Sequence, residues 1–185
     1  LCHHSHCRGK TVHQKTFFGG FSHEFAITES FKNITTIYGA FAQFANAAVR
    51  NYERRSEPHA GGRTVFAFSP KIGLGALKLI AGSELQKGWY NLRVYKNKNG
   101  ASDTLQTEDE VNPFIWSTFA QADWNLPKGW IITAGASLNQ NTIEIIRLNK
   151  FPLSPQKRTY DNEIAPRISL LKKVAQEFSV YASVA

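Results

Sequence analysis

Residues 112–140, NPFIWSTFAQADWNLPKGWIITAGASLNQ, decide the fold. From Phe114 onward, Phe114, Trp116, Thr118, Ala120, Ala122 and Trp124 share one parity. Ser117, Gln121, Asp123 and Asn125 share the other, with Ile115 and Phe119 as exceptions. After Leu126-Pro127-Lys128-Gly129 the alternation resumes, with Trp130, Ile132, Ala134, Ala136 and Leu138 against Thr133, Gly135, Ser137 and Asn139. A period of two is that of a β-strand, whose side chains point alternately to opposite faces. The Pro-Lys-Gly turn reverses the chain, so the segment reads as an antiparallel hairpin. Each arm alternates for about ten residues or more, longer than the roughly five or six usual in globular sheets. Trp124 and Trp130 flank the turn on the apolar parity, where an aromatic girdle meets a bilayer surface. A long hairpin packing one face on a soluble core has the same local pattern.

The rest of the 185-residue chain extends the theme. Phe21, His23, Phe25 and Ile27 alternate with Ser22, Glu24 and Ala26. Tyr38, Ala40, Ala42 and Phe44 read as one apolar parity, facing Thr35, Gly39 and Gln43. Thr64, Phe66 and Phe68 follow, then Leu77, Leu79 and Ala81 opposed by Lys78 and Glu84. Ile164, Pro166, Ile168 and Leu170 alternate with Arg167 and Ser169, and Phe178, Val180, Ala182 and Val184 close the series. Between these runs lie three charged stretches, residues 45–62, 96–110 and 149–162, which read as long loops. Connections therefore alternate short and long over about eight strands. In a meander every second connection emerges on the same side, so all the long ones share a side, as the extracellular loops of outer-membrane barrels do. Lys78, Glu84, Asp123 and Arg167 fall opposite the apolar set, where a wet lumen accepts them. At the lipid midplane an Arg or Lys would cost about 2–4 kcal/mol.

Composition excludes other classes. The net charge of +8 is spread through the stretches read as loops rather than gathered in a patch, which argues against a nucleic-acid partner. The longest uncharged run, residues 33–49, carries Thr, Gln and Asn and is shorter than the roughly 20 apolar residues a membrane helix needs. Glu108, Asp109 and Glu110 form a run rather than a converging pair, and no nucleophile has an attendant base, so no enzyme and no cofactor is expected. Residues 1–15 read as a patternless loop. Its Cys2, His3, His4, His6 and Cys7 are soft-metal ligand types, but their spacing matches no zinc ribbon or finger, so no metal site is assigned.

Taken together, Asn51-Tyr52-Glu53-Arg54-Arg55, Gly61-Gly62-Arg63-Thr64, Phe119-Ala120-Gln121, Trp130-Ile131-Ile132-Thr133-Ala134-Gly135, Ala165-Pro166-Arg167-Ile168-Ser169 and Ser179-Val180-Tyr181-Ala182-Ser183 resemble the barrel of a TonB-dependent outer-membrane receptor. The likeness is strongest to siderophore receptors of the Bacteroidetes type and covers roughly residues 17–185. It implies an all-β fold: an antiparallel meander of about 8 long strands forming part of a 22-stranded transmembrane barrel, with short periplasmic turns and long extracellular loops. It also implies import of a ferric siderophore or similar nutrient across the bacterial outer membrane, with lipid and lipopolysaccharide outside. TonB would be met only through a plug, which this sequence lacks, so the chain reads as a partial barrel domain. Arg50, Arg54, Arg55, His59, Lys157 and Arg158, in the stretches read as loops, are the candidates for attracting an anionic ferric chelate, since basic side chains suit it by charge and donor geometry. A small closed eight-stranded barrel or passive channel, and a soluble carbohydrate-binding sandwich, remain open alternatives at this stage.

Overall fold

The structure, a computed structural model, describes residues 12–185. The Cys2–Cys7 cluster lies outside the described residues. Ten strands form one antiparallel sheet: β1 Val12–Thr28, β2 Phe31–Ala47, β3 Asn51–Phe68, β4 Ala76–Gly88, β5 Tyr90–Lys98, β6 Ala101–Leu126, β7 Trp130–Arg147, β8 Gln156–Thr159, β9 Glu163–Lys173 and β10 Ser179–Val184. They occupy eight positions, because β4 and β5 both lie between β3 and β6, and β8 and β9 both pair with β7. The sheet is a meander in chain order, as the sequence pattern implies. Among the described residues β1 and β10 each pair on one side only, so the sheet has two free edges and does not close on itself.

The described residues form no second layer. Among the described residues the buried apolar side chains are only Ala47 and Ala67, and no large side chain is fully buried. Phe17 is 76% exposed and Ile164 70%. A sandwich hides one face of each sheet against the other; among the described residues both faces are open, unlike the expected sandwich alternative. What holds the wall together is the backbone ladder and pairs of side chains across strands.

Register fixes which residues share a face. Phe25, Asn33, Phe66, Ala81, Ala120, Ala136 and Pro166 are cross-strand neighbours in one row. This face carries Phe21, Ile37, Leu79, Leu85, Phe114, Trp116, Trp124, Trp130, Ile132, Ile168 and Leu170 in the neighbouring rows. On it each central strand is apolar for about ten residues, the length a tilted strand needs to cross hydrocarbon. Its upper border runs from Phe17, Phe41 and Pro58 on β1, β2 and β3 to Phe114 on β6, then to Leu138 on β7 and Ile164 on β9. That descent averages about one residue per strand. With about 3.3 Å per residue and 4.8 Å between strands it corresponds to a tilt of about 35°, as in membrane barrels.

Two readings of the sequence change. The charged stretches 45–62 and 96–110 are not long loops: the chain turns over residues 48–50 and at Asn99-Gly100, the latter two in left-handed conformations with φ 55° and 89°. The remaining residues there are strand, and β6 is 26 residues long, extending well past the apolar border. Only residues 148–155 form a longer connection on that side. Residues 12–15, read as loop, open β1. The second change is on β2, where Ile37, Gly39 and Phe41 share the apolar face and Tyr38, Ala40, Ala42 and Phe44 the polar one, the reverse of the expectation. Alanine fits either face, so parity there rests on Tyr38, whose hydroxyl needs a partner.

Candidate functional site

The polar face holds the chemistry. Asp123 accepts hydrogen bonds from Gln121 Nε2 at 3.0 Å and from Thr133 Oγ1 at 2.8 Å, with Lys78 directly across the β4–β6 ladder. Farther along, Arg63 lies over the Phe119 ring, 5.0 Å from its centroid. Tyr38 donates its hydroxyl to Glu84 Oε1 at 3.0 Å, with Gln86 Oε1 at 3.2 Å. The Tyr38 ring covers Gly61, where no side chain would fit. Removing the hydroxyl by Tyr38→Phe should cost about 1 kcal/mol, the worth of one hydrogen bond to a partly solvated carboxylate. The denaturant midpoint of the full-length protein reads it.

Beyond the apolar border the same face becomes a band of paired charge. Glu53, Arg55 and Glu57 alternate along β3, so all three point the same way. Arg55 Nε lies 3.2 Å from Glu53 Oε1 and Nη1 3.1 Å from Glu57 Oε1, and the guanidinium sits 4.2 Å from the Phe44 centroid. On β6 and β7, Asp109 receives Arg147 in a two-pronged pair at 2.7 and 2.9 Å. That hydrogen bonding, and then the charge of Asp109, raises the Arg147 pKa further above its ordinary value. His59 shares the Arg55 face, and its Nδ1 is shielded with no hydrogen-bond partner among the described residues.

The six basic residues picked from sequence do not converge. Arg50 is at the 48–50 turn. Arg55 and His59 face the polar side, and so does Arg158, opposite Ile143, with its guanidinium 4.9 Å from the Tyr160 centroid. Arg54 and Lys157 lie on the opposite face, in register with Ala45 and Glu144 respectively. Arg158 is four strand positions from Arg55, about 19 Å along the sheet. Tyr38, Arg63 and Phe119 were missed as lining residues; the exceptional place of Phe119 on a polar parity was the available signal.

No family model matches the sequence, and no curated protein does. The sheet does superpose on solved structures. It matches the ferric citrate transporter FecA in its unliganded form with a TM-score of 0.81 at 12% identity, covering 93% of this chain and 27% of FecA. With the siderophore receptor PiuA from Acinetobacter baumannii the TM-score is 0.77 at 10% identity, covering 95% and 32%. With the ferric yersiniabactin uptake receptor FyuA from Yersinia pestis it is 0.63 at 12% identity, covering 93% and 28%. The fold of the sheet matches the barrel portion of TonB-dependent receptors. The chain spans about a third or less of the length of each of these proteins, and all three are receptors or transporters rather than enzymes.

Proposed function

We propose that this chain forms a sector of the wall of a bacterial outer-membrane receptor that imports a ferric siderophore or a similar scarce nutrient. The observation that carries the reading is the division of one unlayered sheet into an apolar face about ten residues deep and a hydrogen-bonded polar face. Fold similarity to receptors for ferric chelates supports the same conclusion. The Bacteroidetes likeness rests on sequence motifs alone. On this reading the apolar face meets lipid, the polar face lines the lumen, and the charged overhang stands outside the cell, where lipopolysaccharide surrounds it. Further strands pair with the free edges of β1 and β10. TonB reaches the assembly through a plug and not through these strands.

The sheet performs no bond-making. It holds a wet wall in lipid and presents charge at its outer mouth. Arg55 has two carboxylates beside it and contributes little net attraction. Arg50 and Arg158 form no ion pair among the described residues and are the better steering charges. In the full-length receptor, Arg50→Ala with Arg158→Ala should lower the capture of an anionic ferric chelate by about threefold to tenfold, leaving a neutral chelate unaffected. Radiolabelled iron uptake by whole cells measures both. Unchanged anionic uptake removes the binding role from these residues.

A further inference from the structure

The acidic run Glu108-Asp109-Glu110 is divided by the strand that carries it. Asp109 turns to the polar face and to Arg147, while Glu108 and Glu110 share the opposite face, where Arg93 holds Glu108 at 2.8 Å. Glu110 forms no ion pair among the described residues. Farther along the same face, Asn112 lies directly across the β6–β7 ladder from Glu144, which forms no ion pair among the described residues either. The cations flanking them by register are Lys87 on β4, diagonal to Asn112, and Lys157 on β8, beyond Glu144; neither pairs with them. A chain with a net charge of +8 thus leaves these carboxylates without a partner of its own.

Asn112 marks where their oxygens can meet. It is 9% exposed, the one buried polar side chain among the described residues. Its Nδ2 donates to Glu110 Oε1 at 2.9 Å, whereas its Oδ1 is shielded and accepts from nothing among the described residues. A buried acceptor without a donor is rare and costs its full desolvation, so it calls for an electropositive partner. Cβ atoms directly across a ladder are about 4.5–5.5 Å apart and diagonal ones about 7–8 Å, which puts Glu144 within reach of both Asn112 and Glu110. Among the described residues no three His, Cys, Asp or Glu side chains gather at one point; here the third oxygen comes from an amide. Carboxylate and amide oxygens suit hard divalent cations. Ca²⁺ accepts roughly six to eight of them in irregular arrangements, partly from water, whereas Mg²⁺ demands a near-ideal octahedron. Two carboxylates also balance the charge of the ion.

We propose that Glu110, Asn112 and Glu144 form a calcium site that clamps β6 to β7 beyond the apolar border at Phe114. The test uses the full-length protein in detergent, stripped of metal with EDTA, and calorimetric titration with calcium chloride and then magnesium chloride. Calcium binds and magnesium binds more weakly. Glu144→Gln or Asn112→Leu weakens calcium at least about tenfold, the scale on which metal sites lose affinity even through their outer partners. Asn112→Asp tightens calcium binding by adding a carboxylate; an asparagine that served only to bond Glu110 would give no such gain. Asp103→Asn, which removes a charge from an exposed position on the same overhang, leaves the titration unchanged. Heat-modifiable gel migration shows that each variant is folded. Absence of calcium binding overturns the site, and so does an affinity that Glu144→Gln and Asn112→Leu leave intact. Equal weakening by Asp103→Asn also overturns it, by making the binding a general attraction to acidic residues.

Discussion

With the apolar face in lipid as proposed, Ala120→Arg in the full-length protein should destabilise the bilayer-embedded state by about 2–4 kcal/mol, whereas Gln121→Arg, one residue on, should stay within about 1 kcal/mol. Ala120 lies mid-band on the apolar face, exposed, between Ala81 and Ala136. An arginine there is pressed into hydrocarbon with no carboxylate beside it. Gln121 points to the opposite side, against Asp123, so an arginine in its place gains a countercharge. Refolding into vesicles followed by urea titration reads both variants. Equal costs would mean that both faces see water; a reversed order would turn the wall inside out.

The second large effect is expected at Gly61. A Cβ placed there would lie 2.6 Å from the Tyr38 ring and hydroxyl and 2.7 Å from the Leu85 carbonyl oxygen. The ring can swing away, but only by leaving Glu84 and Gln86. The carbonyl cannot move without parting β3 from β4, since Gly62 is in register with Leu85. Gly61→Val should therefore cost about 1–3 kcal/mol, as overpacking usually does. Gly39→Ala is the control: its nearest atom would be the His59 carbonyl oxygen at 3.6 Å, an ordinary contact, so a change within about 0.5 kcal/mol is expected. Denaturant midpoints of the two variants check the difference, and equal midpoints would show that Tyr38 does not depend on the glycine beneath it.

How far the sequence carried the fold depended on where the two faces of the sheet differ in polarity. Inside the band the alternation is enforced, so the hairpin of residues 112–140 reads correctly down to its Pro127-Lys128-Gly129 turn, and Lys78, Glu84, Asp123 and Arg167 fall on the predicted side. Above the band both faces meet water. Glu53, Arg54 and Arg55 are then polar in succession, the period of two disappears, and paired strand is indistinguishable from loop by composition. The same loss hid the site: adjacent arginines at 54 and 55 look like one basic cluster, yet a strand sends them to opposite sides. On β2 the failure was different. Small residues on both parities leave Tyr38 as the heaviest marker, and its hydroxyl, bonded to Glu84, puts that parity on the polar face.

A wall one side chain thick has little interior to fit. Most substitutions change how a position meets solvent or lipid and leave no void behind, because almost nothing packs against the altered atoms from the other side. Volume is thus nearly free to drift while oiliness at each site is held, along with the few glycines lying under rings or carbonyls. Two such walls can share a backbone at a TM-score of 0.81 with 12% of their residues in common, since the property they must preserve is an alternating affinity and not a set of interlocking shapes.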